Sequence, residues 1–180
     1  MGEINLLLPL EAQLWVNLTK KKMTQFLGEF DCKLDAKGRM SMPSGLRKQI
    51  SPEAKEKFVL NRGFENCLAL YPMDEWQKIS AEINQLNMFV KKNREFARYF
   101  YRGASELELD AAGRLLLPKR MCEYAGIDKD VILSAWSNKI EIWSKEKFEA
   151  MLNDEPSDFA TLAEEVMGKI NRGGEHGEVS

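Results

Sequence analysis

Histidine is almost absent from this 180-residue chain, since the single one, His176, lies in a polar, glycine-rich stretch near the C-terminus. This excludes histidine-dependent acid–base chemistry, Ser-His and Cys-His nucleophiles and most zinc sites. The three cysteines, Cys32, Cys67 and Cys122, are far apart, odd in number and form no C-x-x-C pair. Neither a disulfide framework nor a zinc site is therefore indicated, and a reducing cytoplasm is expected. A glycine-rich phosphate loop and a cluster of metal ligands are missing too, so we expect no cofactor, no metal and no enzymatic activity.

Long hydrophobic runs are also missing. The apolar stretch from Leu6 to Leu10 is interrupted by Pro9 and followed by Glu11, and it is too short and mixed to span a membrane. We therefore expect no membrane partner.

The chain has no overall excess of basic charge. Its net charge is −2 and its pI is about 5.7, which argues against a uniformly basic nucleic-acid binder. The charge is uneven, however: residues 33–48 contain five basic residues and one acidic residue, whereas residues 149–180 contain eight acidic and two basic residues. Any role in DNA binding must come from local patches or from repetition.

One short phrase is present twice, as Leu34–Arg39 (LDAKGR) and Leu109–Arg114 (LDAAGR), 75 residues apart. In each copy an aspartate can accept backbone N–H groups at the start of a turn, and a glycine can adopt positive φ at its end. Apolar residues alternate on both sides, and a proline, Pro43 or Pro118, follows the arginine four residues later. The pattern predicts two strand-turn-strand elements.

The surrounding elements repeat as well. Beyond the turns the spacing becomes 72, so that Val59, Leu70 and Trp76 correspond to Val131, Ile142 and Phe148. A unit of about 45 residues, with two strand-turn-strand elements and two helices, is therefore duplicated. Since a unit of this size is marginal alone, the two copies should pack together. We expect the large aromatic residues to be core, namely Tyr71, Trp76, Trp136, Trp143 and Phe148, together with Phe96, Tyr99 and Phe100 of a helix at about 92–102.

The predicted organisation has five parts. Residues 1–22 are an N-terminal extension, with a translation start at Met23 as the alternative. The first unit covers 29–76, a helical connector covers 77–103, and the second unit covers 104–147. Residues 148–180 form a C-terminal helix and an acidic tail that is expected to be disordered from Asn171 onward.

The paired turns are also where the chain resembles a known family, the MraZ family of bacterial transcriptional regulators. The resemblance runs from about Met23 to Phe148. It rests on these segments: Phe26–Phe30, Leu34–Arg39, Pro43, Arg47, Leu70–Pro72, Trp76 and Asp110–Pro118. It implies an α+β fold in which two SpoVT/AbrB-like units form internally duplicated swapped-hairpin β-barrels with packed helices. It further implies a ring-type homo-oligomer.

The resemblance also implies a function. Members of the family bind double-stranded DNA at short, G-rich direct repeats upstream of the division and cell wall gene cluster, often controlling their own operon. The chain is thus expected to be cytoplasmic and nucleoid-associated. In the family the Asp-x-x-x-Arg turns contact the DNA, which gives Arg39 and Arg114 that role by position, while Asp35 and Asp110 hold the turn shape.

Arginine suits the O6/N7 edge of guanine, so Arg39 and Arg114 are the candidate base readers. Contacts to phosphates, which position without specifying, are expected from the remaining basic residues around the turns: Lys37, Arg47, Lys48, Lys119 and Arg120. The second copy has Ala112 in place of Lys37 and Cys122 in place of Arg47. We therefore expect changes at the Arg39 turn to harm DNA binding more than changes at the Arg114 turn.

Three alternatives stay open. Each arginine can pair with its own aspartate as a purely structural turn. The protein can be a ring-forming scaffold that binds another protein without specific DNA binding. An enzyme would have to use Asp35 and Asp110 as its carboxylates, without any of the other groups that such chemistry commonly needs.

Overall fold

The structure, a computed structural model, describes residues 25–153 and 158–172. The predictions for residues 1–22 and for the tail beyond Arg172 lie outside this range. The described residues up to Lys145 form one compact unit, and those from Glu146 onward form a second. The mixture of helices with antiparallel strands confirms the α+β class.

The eight described strands all belong to the first unit. They are β1 (Phe26–Lys33), β2 (Arg39–Ser41), β3 (Lys57–Arg62), β4 (Leu68–Pro72), β5 (Ser105–Glu108), β6 (Arg114–Leu116), β7 (Asp130–Ser137) and β8 (Lys139–Ser144).

Six α-helices lie within the described ranges. They are α1 (Ser44–Arg47), α2 (Met73–Asn84), α3 (Lys91–Phe100), α4 (Lys119–Ala125), α5 (Lys145–Asn153) and α6 (Phe159–Arg172), with a 3-10 helix at Pro52–Ala54. The last helix, α6, ends at Arg172, next to the tail for which disorder was expected.

Strand pairing crosses between the two repeats. A six-stranded antiparallel sheet has the order β1-β7-β8-β4-β3-β5, and β2 pairs with β6 in a separate ribbon. The first strand of each repeat thus lies beside the third strand of the other, with Phe30 opposite Leu133 and Leu107 opposite Phe58. Exchanging the repeats leaves the strand order unchanged, as expected for a duplicated unit that pairs with itself.

The strand-turn-strand elements at the two repeated phrases, β1–β2 and β5–β6, are therefore not simple hairpins, whereas β3–β4 and β7–β8 pair directly. β1 and β2 are not paired along their length; a bridge between Leu34 and Met40 joins the two segments next to the turn. From there β2 pairs with β6, and Met40 lies opposite Leu115. Both of these side chains are fully buried in the core, and each such burial contributes about 1.5–3 kcal/mol. The buried apolar face of the β2–β6 ribbon thus stabilises the packing of the two repeats against each other.

A large part of the core comes from four of the strands, β3, β4, β7 and β8. Its fully buried members include Phe58, Leu60, Leu68, Leu70, Leu133, Ile140 and Ile142, which come from the third and fourth strands of both repeats. This confirms that the two copies pack together.

The register corrects the predicted alignment of the third strands. Phe58 lies opposite Pro72, and Val131 lies opposite Ser144. Because Ser144 follows Pro72 by 72 residues, Val131 is equivalent to Phe58 at a spacing of 73, and not to Val59. A shift of one residue reverses the face of every side chain in a strand. The correct alignment of the two strands is therefore known only from the residues with which each one pairs.

Several aromatic residues were expected in the core and are not there. Phe96 is 46%, Tyr99 65% and Trp136 48% exposed, and α3 contains no buried residue. Trp76 is half-buried and stacks on Phe100 with 5.5 Å between the ring centroids. The predictions for the other three aromatic residues, Tyr71, Trp143 and Phe148, are confirmed, since all are buried.

Candidate nucleic-acid interface

The first turn is built by Asp35. Its Oδ1 atom accepts the backbone N–H groups of Lys37 and Arg39, both at 2.9 Å. Gly38 donates its N–H to the Asp35 carbonyl at 2.9 Å and has φ of +79°, which glycine adopts without a steric cost. The second carboxylate oxygen of Asp35, Oδ2, accepts Nε–H of Arg39 at 2.7 Å. One aspartate thus fixes both the turn and the orientation of the arginine.

The second turn repeats this arrangement. Asp110 Oδ1 accepts the N–H groups of Ala112 and Arg114, both at 2.9 Å, and Gly113 has φ of +73°. Asp110 Oδ2 lies 2.9 Å from Nε and 2.8 Å from Nη2 of Arg114. The local phrase therefore determines the local structure in both copies.

These bonds change the acid–base behaviour of both aspartates. The backbone N–H of Arg39, followed by its side chain, lowers the pKa of Asp35 to about 2. The pKa of Asp110 is lowered mainly by the side chain of Arg114, and the pKa of Arg114 is raised mainly by Asp110. Both carboxylates are thus charged at neutral pH and hold their arginines.

The two arginines lie on one face of the β2–β6 ribbon. Arg39 lies opposite Leu116, and Ser41 lies opposite Arg114. Side chains of directly paired residues, and of residues two apart on a strand, share a face. The other face carries the buried Met40 and Leu115, so the arginine face looks outward. The arginine side chains are 30% and 31% exposed.

The turns themselves lie at opposite ends of this ribbon. The N–H of Leu117 donates to the Gly38 carbonyl at 3.0 Å, and the N–H of Met42 donates to the Gly113 carbonyl at 2.9 Å. Four strand steps separate the two ends, which corresponds to about 13 Å. The ribbon therefore brings the arginines together while its turns are held apart.

Each turn is flanked by a helix of the opposite repeat. An open cleft of about 790 Å³ lies beside the first turn, lined by that turn, by α4 and by the link before β7. Its lining includes three lysines, Lys37, Lys119 and Lys129, and three acidic residues, Asp35, Glu123 and Asp128. The second turn lies against α1, where a Cβ placed on Gly113 would be 2.9 Å from Nη1 of Arg47.

The position of Arg47 corrects the expectation that it accompanies the first turn. Its guanidinium lies beside the second turn, and Glu56 Oε1 accepts its Nε–H at 3.0 Å and also contacts Nη2. Local spacing along the chain could not show this, because the crossing of the strands carries each helix to the other repeat's turn.

The remaining predicted basic residues are exposed. Lys48 comes directly after α1. Arg120 lies in the first turn of α4, next to Lys119. Lys119 is 91% exposed and lies 3.9 Å from Glu123. Sequence reasoning missed Lys129 and Glu56, which belong to the links before β7 and β3. The sequence offered no signal for them, because the predicted spacing of 72 aligns Glu56 with Asp128 and only the strand pairing shows the true equivalence.

The part of the chain that the structure describes contains no group of three or more His, Cys, Asp or Glu residues suited to a metal ion. Its helices are all too short or too polar to cross a membrane.

Comparison with known proteins finds the same duplication. A family model described as MraZ protein matches the chain twice, at residues 25–99 and 100–169. The Transcriptional regulator MraZ of Christiangramia forsetii is 49% identical over 147 residues, covering 81% of this chain and 95% of the relative. That of Flavobacterium psychrophilum is 49% identical over 150 residues, covering 83% and 96%. That of Cytophaga hutchinsonii is 41% identical over 147 residues, covering 82% and 97%.

Matches of this extent place this duplicated α+β chain in the class of proteins named transcriptional regulators. The chain belongs to the MraZ family.

Proposed function

We propose that this protein is a sequence-specific DNA-binding transcriptional regulator. Its targets are short, G-rich direct repeats upstream of the division and cell wall gene cluster, including its own upstream region. The observation that carries the proposal is the outward face of the β2–β6 ribbon, where two arginines are each fixed by an aspartate. The names of the relatives support regulation of transcription.

In this proposal Arg39 and Arg114 read guanine. A guanidinium recognises the O6 and N7 acceptors of guanine as a fork, provided that its plane is oriented. Asp35 and Asp110 supply the orientation through their bonds to Nε. The narrow, two-stranded form of the ribbon suits the major groove, which admits an element of this width.

The surrounding cations position the ribbon on the duplex through phosphates. Lys37 and Lys119 act beside the first turn, while Lys48 and Arg120 extend the basic surface. Arg47 lies beside the second turn, where a phosphate has to compete with Glu56 for its guanidinium. Contacts of this kind supply affinity and register without sequence information. They also account for DNA binding by a chain whose net charge is −2, because the basic residues are concentrated around the ribbon.

The proposal includes the assembly. Residues 29–76 and 104–147 act as two SpoVT/AbrB-like units that form swapped-hairpin barrels, joined by the connector 77–103. Several chains form a ring, so that weak contacts to each repeat of the operator add up through avidity. Large apolar side chains on the surface support self-association: Leu27 is 78% and Phe64 85% exposed. Such a ring acts in the cytoplasm, associated with the nucleoid.

The test measures binding to a fluorescent duplex from the protein's own upstream region and to a shuffled duplex of the same composition. We expect a preference for the first of about 10³-fold or more at physiological salt. The double variant Arg39→Ala, Arg114→Ala should lose this preference. A matched control, Arg98→Ala with Arg102→Ala, removes two exposed arginines around the end of α3 and should keep it.

Equal affinity for both duplexes would reject sequence-specific DNA binding and favour the alternative, a ring-forming scaffold protein. Loss of the preference in the control variant as well would show that general charge, and not the ribbon, determines binding.

A further inference from the structure

Two residues have the same backbone role in the two repeats and carry opposite charges. The N–H of Leu34, which begins the first phrase, donates to the carbonyl of Lys129 at 2.9 Å. The N–H of Leu109, which begins the second phrase, donates to the carbonyl of Glu56 at 3.3 Å. Lys129 and Glu56 are thus equivalent positions, each delivered to the other repeat's turn. At this position the duplicated framework has a cation beside one turn and an anion beside the other, whereas the preceding position has the reverse, Asp128 and Lys55.

This difference changes the cations available at each turn. Lys37, Lys119 and Lys129 line the cleft beside the first turn. At the second turn Ala112 replaces Lys37, and the cation against the turn is Arg47. Its guanidinium is bound through Nε and Nη2 to the carboxylate of Glu56. The cation that the other repeat places against the second turn is therefore already paired within the protein.

We propose, building on the DNA-binding function proposed above, that Glu56 restrains Arg47 from contacting a DNA phosphate at the second turn. Glu56 is thus a positioning residue that makes the two turns unequal. It tunes the affinity of the Arg114 turn without touching the DNA bases.

The Arg47–Glu56 ion pair is exposed enough to be broken, so it weakens a phosphate contact by Arg47 without preventing it. The side chains of Arg47 and Glu56 are 45% and 52% exposed, and an ion pair at this exposure is screened by solvent and modest in strength. A phosphate approaching the second turn therefore competes with the carboxylate for the guanidinium. As long as Arg47 is bound to Glu56, the protein makes one phosphate contact fewer. The DNA then releases about one counterion fewer on binding.

The experiment compares Glu56→Gln with Glu53→Gln. Glu53 is an exposed acidic residue in the 3-10 helix, so both variants remove one negative charge within the same link. Binding to the duplex from the protein's own upstream region is measured at several salt concentrations. We expect Glu56→Gln to bind about 3- to 10-fold more tightly than Glu53→Gln, with a salt dependence of log K steeper by about 0.9 per added phosphate contact.

Arg47→Gln provides the second measurement. In the unchanged background it should weaken binding less than about 2-fold, because Glu56 already holds the guanidinium. In the Glu56→Gln background it should remove the whole gain in affinity and the steeper salt dependence. Thermal unfolding of each variant verifies that it is folded at the temperature of the assay.

The outcomes separate this inference from the proposed function. If the unchanged protein prefers its upstream DNA but Glu56→Gln binds like Glu53→Gln, restraint by Glu56 is rejected and the regulator proposal stands. Weaker binding by Glu56→Gln, or a loss of 10-fold or more in Arg47→Gln alone, would assign the pair to supporting the turn and also reject the restraint. Absence of any preference in the unchanged protein rejects both proposals.

Discussion

The two Asp-x-x-Gly-Arg turns have nearly the same internal bonds and different surroundings. Asp35 and Asp110 each accept two backbone N–H groups at 2.9 Å and the Nε–H of their own arginine. The neighbours differ, because three lysines line the cleft at the first turn and an Arg47–Glu56 pair lies at the second. After a duplication, local geometry can thus remain while contacts supplied by the other repeat diverge.

The largest expected effect comes from removing each arginine separately. Arg39→Ala and Arg114→Ala should each reduce discrimination at a guanine by about 1–3 kcal/mol, with the greater loss for Arg39. The reason is that Lys37, Lys119 and Lys129 draw the DNA phosphates toward the first turn. Competition binding with operator duplexes that carry single G-to-A changes measures the difference.

Equal losses in the two variants would show that the surroundings of the turns do not affect base reading. A greater loss for Arg114→Ala would reverse the comparison. Lys37→Ala serves as a reference, since it should weaken binding evenly across sequences.

A smaller and symmetrical effect is expected at the turn glycines. Gly38→Ala and Gly113→Ala should each destabilise the fold by about 1–2 kcal/mol, because both residues have left-handed backbone conformations. A new Cβ at Gly113 would also lie 2.9 Å from Arg47 Nη1, the end of a flexible side chain that can move aside. At Gly38 the nearest atom is the Leu117 carbonyl oxygen at 3.6 Å, an ordinary contact.

Urea unfolding measures the stabilities, and the NMR signal of Arg47 Nε–H reports its displacement. We expect that signal to shift in Gly113→Ala and to stay in place in Gly38→Ala. A shift in both variants would contradict the position of Arg47 beside the second turn alone.

The smallest expected effect is on pH dependence. The folded-state pKa of Asp35 is about 2, below the value of about 3.9 for an unperturbed aspartate. The bonds of this carboxylate therefore stabilise the fold fully above about pH 4, and this contribution is lost as the pH falls toward 2. The pKa of Asp110 is also lowered, so the second turn should respond in the same direction.

A carboxyl-detected NMR titration measures the midpoint for Asp35. In Arg39→Gln the side-chain partner is altered while the backbone N–H bonds remain, so the pKa should rise only part of the way to its ordinary value. A midpoint near the ordinary value in the unchanged protein would show that these bonds do not form in solution.

The sequence predicts those features that depend on nearby residues. The phrase at Leu34–Arg39 contains its own hydrogen-bond donors and acceptors within six positions, and its repetition predicts the second turn equally well. Alternation predicted β1 correctly, since Phe30 and Cys32 are partly covered while Asp31 and Lys33 are exposed. The strands and helices of each unit follow from similar local patterns, whereas the α+β class was implied by the family resemblance.

Features that depend on distant partners could not be predicted from spacing alone. The one-residue shift between Phe58 and Val131 is set by pairing with neighbouring strands, and the position of Arg47 is set by the crossing of the repeats. The periodicity of α3 identified an apolar side but not what covers it, so Phe96 and Tyr99 were wrongly assigned to the core. The binding roles proposed for the basic residues remain predictions.

The crossing of β1 to β7 also determines when the protein can fold during its synthesis. Phe30 pairs with Leu133, so the first strand has no partner until about 100 more residues have been added. At about 5–20 residues per second, a ribosome needs roughly 5–20 s to supply them. Throughout that interval β1 exposes an unpaired edge that can associate with other chains. Such long-range pairing also makes folding slow, and a nascent chain halted before β7 would present this edge to chaperones.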